Sequence, residues 1–481
     1  MKASYLVLLF VLASAVWGQP PDTVWTRRFS TEDYEFAFGL DKTYDNGLVM
    51  CGSASDAPDQ WSYAVIRKVD HNGIQQWQKQ IGGGNTYCEA TDIIQATDSS
   101  IITVGYNVWS LFDQIFFTKH SLSGDSLASY NMGVEVLVNM ISVTETTDRG
   151  YCVLGTERLD VFSGFSARVT KFSQNGTYQW TRRYGRGSQY RVDAMDIAAM
   201  PDGGFVIAAH FKRLFTTDST TLLMIRADAN GDTLWTRELA ASSGSLEAVS
   251  VCVTENEQLV FSCDWDGPQF KWFIIWVDFN GDTTQTREYL DTRGSSDFMR
   301  VVPARESGFV GCGYWRQYPS FASLARLDSS GNVLWHIHYG IGNNEYGGAD
   351  AVQLRDGGYA MLTEVTELST FMNPIVLVRF QSDDTQSTVP PMLPDKYPLL
   401  SCYPNPFNSS TRIEYDLQYS AEVVIDLYNV QGELVANIVN GYRNTGKHAA
   451  MIEAVGLSSG IYFCRLNASG AARVQKLILL R

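Results

Sequence analysis

The sequence repeats itself seven times at intervals of 50 to 55 residues, and this periodicity restricts the chain to a few folds. In each clear copy a turn ends in Gly, and Trp follows four residues later. The clear copies are Gly73 with Trp77, Gly176 with Trp180, Gly231 with Trp235 and Gly331 with Trp335; Gly124 with Ala128 and Gly281 with Gln285 are degenerate, and Trp25 marks the seventh. Such a repeat is one supersecondary unit that buries its apolar face against the next copy.

Two further signatures run in step with the first. One is a turn such as Asp45-Asn46-Gly47, and the other is an alternating, β-branched run such as Tyr63–Val69. Together they give four strands in each repeat, which is the pattern of a β-propeller blade. The seventh alternating run ends at Phe380 with no Trp strand after it, while Val24–Phe29 is a Trp strand with no blade before it. We therefore predict an all-β chain: a seven-bladed β-propeller over residues 22–382, closed by the N-terminal strand so that no sheet edge stays open.

These repeats resemble the quinoprotein-like β-propeller repeats of bacteria, in which a Gly-x-x-x-Trp strand docks each blade against its neighbour. The resemblance concerns architecture and implies no particular chemistry.

The ends and the charge of the chain indicate export. Residues 1–18 combine Lys2, an apolar run and small residues near Gly18, the pattern of a secretory signal peptide. No later run is long enough for a transmembrane helix. The net charge of −15 and the lack of a basic stripe argue against nucleic acid as a partner.

Short turns and long loops are predicted to lie on opposite faces of the propeller. Asn72-Gly73, Asn175-Gly176, Asn230-Gly231 and Asn280-Gly281 are predicted hairpin turns, because both positions favour positive φ. Asp228, Asn230 and Asp232 also have the spacing of a calcium loop, but Gly231 fits a hairpin better.

The long loops between the second and third strands are rich in aromatic residues. Candidate ligand-binding residues are Trp61, Trp109, Trp265, Trp315 and Tyr318. Loops on a rigid scaffold are where binding residues concentrate, and exposed rings suit stacking on sugars. The alternative is that these rings roof the ends of the blades and bury loop backbone.

Three other patterns have both a structural and a functional interpretation. Asp92, Asp196 and Asp350 occupy one position of the first strand, with Arg300 in the same place; they either bind a polar ligand in the channel or bond to the next blade. A basic residue two positions after the Trp position, such as Arg182, is expected to stack on that ring or pair across blades. His336 and His338 share a strand face but have no third ligand nearby, so no metal site is predicted.

We find no linear catalytic motif and predict no cofactor. Propellers assemble acid pairs from distant blades, so glycoside cleavage stays open as an alternative.

A Pro-rich linker over residues 383–400 precedes a second predicted domain, a small Ig-like β-sandwich over residues 401–481. Its strands are predicted at 412–417, 422–428, 434–439, 449–453, 460–466 and 474–480. Cys402 and Cys464 are its two cysteines, and the sequence leaves open whether they pair.

This second domain resembles the C-terminal sorting domain of proteins exported by the type IX secretion system. The matching elements include Tyr403-Pro404-Asn405-Pro406-Phe407-Asn408, Gly432 and Gly460-Ile461-Tyr462-Phe463. The resemblance implies export through the inner membrane, recognition by the secretion machinery at the outer membrane, and release or attachment at the cell surface. The alternative is an ordinary appendage that stabilises the propeller.

The sequence thus predicts a secreted or surface-attached propeller. We expect a non-catalytic binding or adhesion module for an extracellular glycan or protein; the alternative is a secreted hydrolase or lyase acting on polysaccharide at the mouth of the channel.

Overall fold

The computed structural model describes most of the chain from residue 20 onward. The described residues are 20–29, 34–55, 61–83, 86–109, 112–134, 142–158, 164–214, 216, 219–241, 244–254, 256–266, 271–290, 295–316, 320–340, 345–366, 373–383, 400–417, 421–430, 433–444, 446–468 and 471–480. The predicted signal peptide and nearly all of the predicted linker lie outside them.

Antiparallel four-stranded sheets follow one another along the chain as blades. Blade 1 contains β2 (Tyr34–Lys42), β3 (Leu48–Ser55), β4 (Ser62–Val69) and β5 (Gln75–Ile81). Blade 2 contains β6 (Tyr87–Gln95), β7 (Ile101–Trp109), β8 (Phe112–His120) and β9 (Ser126–Val134). Blade 3 contains β10 (Ser142–Glu145), β11 (Tyr151–Arg158), β12 (Phe165–Phe172) and β13 (Tyr178–Tyr184). Blade 4 contains β14 (Tyr190–Ala199), β15 (Phe205–Arg213), β16 (Thr221–Ala227) and β17 (Thr233–Leu239).

The remaining blades have the same order. Blade 5 contains β18 (Ser245–Val253), β19 (Leu259–Asp266), β20 (Lys271–Val277) and β21 (Thr283–Leu290). Blade 6 contains β22 (Ser295–Pro303), β23 (Phe309–Arg316), β24 (Phe321–Leu327) and β25 (Val333–Tyr339), with a 3-10 turn at Arg305–Ser307. Blade 7 contains β26 (Glu345–Gln353), β27 (Tyr359–Thr366) and β28 (Ile375–Phe380).

The N-terminal strand β1 (Thr23–Phe29) completes blade 7. It pairs antiparallel with β28, from Thr23 opposite Phe380 to Phe29 opposite Ile375. The sheet order β1-β28-β27-β26 confirms the predicted closure. The chain is a seven-bladed β-propeller followed by a smaller β domain, as the sequence predicts.

The shared shape of the turns explains the repeated Gly. In the turn at Asp228, Gly231 N–H donates to the Asp228 carbonyl (3.0 Å), and Gly231 has a φ of 81°. The pairing of β16 with β17 shifts between Arg226 and Ala227, which marks a bulge. The hairpin is confirmed, but the expectation of positive φ at both turn positions is wrong: Asn72, Asn175, Asn230 and Asn280 have ordinary φ, and only the glycines are left-handed.

The Trp of one blade packs on the Gly turn of the next. Trp77 Nε1 donates to the Leu122 carbonyl (2.9 Å), and a Cβ on Gly124 would lie 3.0 Å from the Trp77 ring. In the degenerate fifth blade, Gln285 Nε2 donates to the Ser330 carbonyl (3.0 Å) and so replaces the indole N–H. The predicted stacking of the basic residues is also confirmed, since Arg27, Arg182 and Arg237 lie over Trp25, Trp180 and Trp235.

The terminal domain is a sandwich of two antiparallel sheets. One sheet has the order β29-β30-β33 and the other β32-β31-β34-β35. The strands are β29 (Leu400–Tyr403), β30 (Ser410–Leu417), β31 (Ala421–Tyr428), β32 (Leu434–Arg443), β33 (Gly446–Glu453), β34 (Gly460–Ala468) and β35 (Ala471–Leu479). The sequence interpretation missed β29, because Pro398 and Pro404 flank it. One buried cluster, including Ile413, Ile425 and Leu477, joins the sheets.

Candidate functional site

The first strand of each blade carries one equivalent position beside the central channel, six residues before the following turn residue. The seven occupants are Gly39, Asp92, Ser142, Asp196, Ser250, Arg300 and Asp350. In five blades a bulge precedes this position directly, as between Ala90 and Asp92. The bulge re-aims the side chain away from the ladder of its own sheet.

Most of these side chains bind the backbone of the next blade. The N–H groups of Val143, Val251 and Leu40 donate to Asp92, Asp196 and Asp350, at 2.9, 3.0 and 2.9 Å. Ser250 does the same with its hydroxyl, which accepts from Val301 N–H at 2.9 Å. The interpretation as bonds between blades is therefore confirmed, and a hydroxyl replaces the carboxylate without changing the role.

Arg300 partly balances the charge of the channel. Its Nη1 lies 3.4 Å from Asp350 Oδ2 and 3.5 Å from Asp92 Oδ1. Burial raises the pKa of Asp350 to about 6, against the lowering effect of Arg300, and burial also raises the pKa of Asp196. For Asp350 and Asp196, the nearby guanidinium therefore does not fully offset the effect of burial.

A second set of equivalent positions, eight residues after the turn residue, also joins the blades. Thr156 Oγ1 accepts from Ala194 N–H (2.8 Å), and Glu364 Oε1 accepts from Ala37 N–H (2.8 Å). The ring nitrogen Nε2 of His210 lies 2.8 Å from the Ala248 carbonyl. Sequence reasoning missed this set, since its members share neither charge nor size. Their constant distance from the turn was the available signal.

Two partly buried acidic side chains, Glu364 on β27 and Glu89 on β6, have raised pKa values. Burial and, to a smaller extent, the charge of Glu89 raise the pKa of Glu364 to about 7. Burial raises the pKa of Glu89 as well, although Tyr106 donates a hydrogen bond to its Oε2 at 2.6 Å. These two carboxyl groups hold protons at a higher pH than ordinary glutamates do.

The candidate ligand-binding residues do not share one environment. Trp61 directly precedes β4 and is 44% exposed; its ring centroid lies 4.8 Å from that of Tyr87, which begins β6 and is 40% exposed. Trp265 is half-buried, and Lys271 Nζ lies over its ring at 5.1 Å. Trp109 is the last residue of β7 and Trp315 the last but one of β23, but their side chains, like all of Tyr318, fall outside the described residues.

Other rings of the long-loop face pack against cations and against each other. Phe165 has the guanidinium groups of Arg158 and Arg191 at 5.1 and 4.5 Å from its ring. Phe211 stacks on Tyr190 with centroids 5.4 Å apart. This packing is what a roof over the blade ends requires, so the exposed Trp61–Tyr87 pair differs from Phe165, Phe211 and Tyr190.

Side chains at both candidate cation sites make hydrogen bonds within the protein. Asp228 Oδ1 accepts from the N–H groups of Asn230 and Asp232, both at 2.9 Å, so this oxygen stabilises the turn. His336 and His338 have ring centroids 4.4 Å apart, and His338 Nδ1 lies 3.2 Å from Ser323 Oγ. Within the described ranges, no group of three or more His, Cys, Asp or Glu side chains is arranged to hold a metal ion.

The first sorting element is bound to the last strand of its domain. Phe407 is buried, and its N–H donates to the Ile478 carbonyl (2.9 Å). Asn405 uses both ends of its amide, since Nδ2 donates to the Lys476 carbonyl (2.8 Å) and Oδ1 accepts from Ile478 N–H (2.9 Å). Tyr403, Pro404, Pro406 and Asn408 are exposed.

Strand alternation divides the second sorting element between core and surface. Tyr462 is buried, and its hydroxyl donates to the Ser458 carbonyl (2.8 Å). Ile461 and Phe463 point outward and are 38% and 37% exposed. Across the sheet, Phe463 on β34 pairs with Tyr428 on β31, and Tyr428 pairs with the exposed Leu434 on β32. One end of this sheet therefore has an apolar outer face. Gly460 is exposed, and Gly432 lies outside the described residues.

Comparisons with known proteins give a partial identification. No curated protein matches the chain. Among solved structures, a protein of unknown function from Dyadobacter fermentans DSM 18053 has 12% identity and a TM-score of 0.47, with 75% of this chain and 99% of that chain covered. The polysaccharide lyase Uly1 has 8% identity and a TM-score of 0.47, with 75% of this chain and 99% of that chain covered. An alpha-L-arabinanase of Penicillium chrysogenum has 10% identity and a TM-score of 0.43, with 77% of this chain and all of that chain (100%) covered.

The terminal domain is the part of the chain that a family model recognises. Residues 401–480 match the secretion system C-terminal sorting domain. In the described part of the chain, no helix has the length and apolar character needed to cross a membrane. The domain marks a chain that is exported and then secreted or attached to the outer surface. Residues 401–480 are thus a type IX C-terminal sorting domain, and its cargo is a β-propeller.

Proposed function

We propose that this exported propeller is a non-catalytic binding or adhesion module that holds an extracellular glycan on its long-loop face. The observation that carries the proposal is the exposed pair of Trp61 and Tyr87 at the seam between blades 1 and 2. Aromatic side chains are large, rigid and amphipathic, so an exposed pair loses little conformational entropy when a sugar ring covers it.

The backbone around this pair is fixed by the propeller. Ser62 pairs with Tyr87 across the two blades, and Cys88 N–H donates to Ser62 Oγ at 3.1 Å. The rings therefore stand on two strand ends of defined separation rather than on free loops, which favours a preorganised site.

Glycan-array binding of the purified chain tests this proposal. Trp61→Ala and Tyr87→Ala should each weaken binding about 10-fold or more, as the loss of a buried aromatic anchor does. Trp265→Ala is the matched control, because Lys271 already covers that ring. Unchanged binding by both Trp61→Ala and Tyr87→Ala would contradict the proposal.

A secreted hydrolase or lyase that acts on polysaccharide is the second candidate. It is favoured by Glu364, whose pKa is raised to about 7 beside Glu89. A carboxyl group with such a pKa is suited to general acid catalysis near neutral pH. Hydrolysis of the same glycans should be measured beside binding. Cleavage without retention, abolished by Glu364→Gln, would establish this second function and reject the first.

A further inference from the structure

The terminal sandwich brings Cys402 and Cys464 together from its two sheets. Cys402 lies on β29, where its neighbour Tyr403 is 82% exposed, so strand alternation turns Cys402 inward. Cys464 lies on β34 beside Leu427 of β31, and its side chain is wholly buried. Both side chains pack in the cluster that joins the sheets.

The two thiols are in direct contact. They form a hydrogen bond with each other, which lowers the pKa of Cys402 and raises that of Cys464. Cys402 is half-buried, whereas Cys464 is enclosed, so an external oxidant meets Cys402 first.

The six cysteines of the propeller are in a different situation. All are buried in the blades, and burial raises their pKa values, to about 11 for Cys88 and about 12 for Cys152 and Cys252. A buried thiol of high pKa is a poor nucleophile. Cys402, which is half-buried and has a lowered pKa, differs from all six.

We propose that Cys402 and Cys464 form a disulfide when the chain is exported, and that this bond joins the two sheets of the sorting domain. The oxidant is a disulfide of small-molecule or oxidoreductase type. The Cys402 thiolate attacks it and releases one thiol; the Cys464 thiolate then attacks the Cys402 sulfur and releases the second. Two protein thiols thus give up two electrons and two protons, and one external disulfide becomes two thiols.

The position of the bond gives it a specific effect. β29 is the first strand of the domain and lies at the edge of its sheet, whereas β34 is an inner strand of the other sheet. An edge strand with a single neighbour is the strand that detaches most easily. The disulfide would hold β29 in place, and with it the start of Tyr403-Pro404-Asn405-Pro406-Phe407-Asn408, the first sorting element.

Peptide mapping of the full chain tests the proposal. The chain should be isolated from the periplasm of a bacterium without the secretion machinery, denatured, alkylated without reduction and digested with trypsin. We expect a linked pair of peptides, 397–412 and 448–465, two hydrogen masses lighter than the separate peptides. Alkylation of both cysteines in the unreduced sample would overturn the proposal.

A thermal measurement on the same chain gives an independent result. Dithiothreitol should lower the melting temperature of the sorting domain by about 10 °C or more. Cys402→Ala and Cys464→Ala should abolish this sensitivity, whereas Cys312→Ala, a buried propeller variant, should retain it. Equal melting with and without reductant in the unmodified chain would contradict a structural disulfide.

Discussion

Trp235 donates its indole N–H to the backbone carbonyl of Phe279 in the next blade, at 2.8 Å. Gly281 of the same turn lies against the Trp235 ring, where a Cβ would come within 3.0 Å. One side chain therefore supplies both a polar bond and a packing surface between blades 4 and 5.

The first prediction follows from this contact. Trp235→Phe keeps most of the ring but removes the donor, so the free energy of unfolding should fall by about 1–3 kcal/mol. Denaturant unfolding checks this value. Leu234→Ala is the control: Leu234 is 54% exposed, so this substitution should lower the free energy of unfolding by less than about 0.5 kcal/mol. Equal losses in the two variants would show that the indole bond contributes nothing.

The second prediction concerns turn residues with positive φ, where two substitutions should change stability in opposite directions. Arg149 and Gly203 occupy equivalent turn positions in blades 3 and 4, with φ of 62° and 91°. Arg149→Gly should stabilise the chain by roughly 0.5–1 kcal/mol, because Gly adopts this conformation without steric cost. Gly203→Ala should destabilise it by about 1 kcal/mol. Melting temperatures of both variants measure this; shifts of the same sign would refute the assignment of strain.

Stability should also depend on pH through the raised carboxyl groups. The pKa of Glu364 is about 7 when folded, above its ordinary value of 4.5, so the folded state binds more protons between these values. The contribution of Glu364 to stability is therefore complete below about pH 4.5 and is lost as the pH rises through 7. Asp350, at about 6, acts in the same direction.

Glu364→Gln tests this dependence. The amide oxygen can still accept the Ala37 N–H, but the charge is gone. At pH 8 the variant should exceed the parent in unfolding free energy by about 1–3 kcal/mol, and its melting temperature should change less between pH 5 and 8. A variant whose pH profile matches that of the parent would exclude Glu364 as the source.

The fourth prediction concerns delivery. The outward half of the sorting element, Ile461 and Phe463, contributes little to the core, so we expect it to face the secretion machinery. Phe463→Glu should leave the melting temperature within about 2 °C but leave most of the chain in the periplasm. Val455→Glu, at an 82% exposed position, is the control and should be delivered normally. Normal delivery of Phe463→Glu would contradict this prediction; deletion of residues 401–481 should block delivery in either case.

Much of the fold could be predicted from the sequence because each blade repeats the same physical constraints. Gly231 and Trp235 recur since one blade must fit the next, and the unpaired Trp25 strand indicated closure. The equivalence of Ser250 with the aspartates at the same position of other blades was harder to recognise. What these residues share is an oxygen atom that accepts a hydrogen bond, and not a residue type. The binding face could not be predicted, since a ring such as Trp265 becomes covered only through Lys271 across the strand pair.

The pairing of β1 with β28 means that the first and last strands of the ring are neighbours, although the whole propeller sequence lies between them. Closing so long a loop is slow and entropically costly. Blade 7 cannot form until synthesis has passed Phe380, whatever the earlier blades have done. Ring closure must therefore wait until both ends of the propeller sequence, Thr23–Phe29 and Ile375–Phe380, are present.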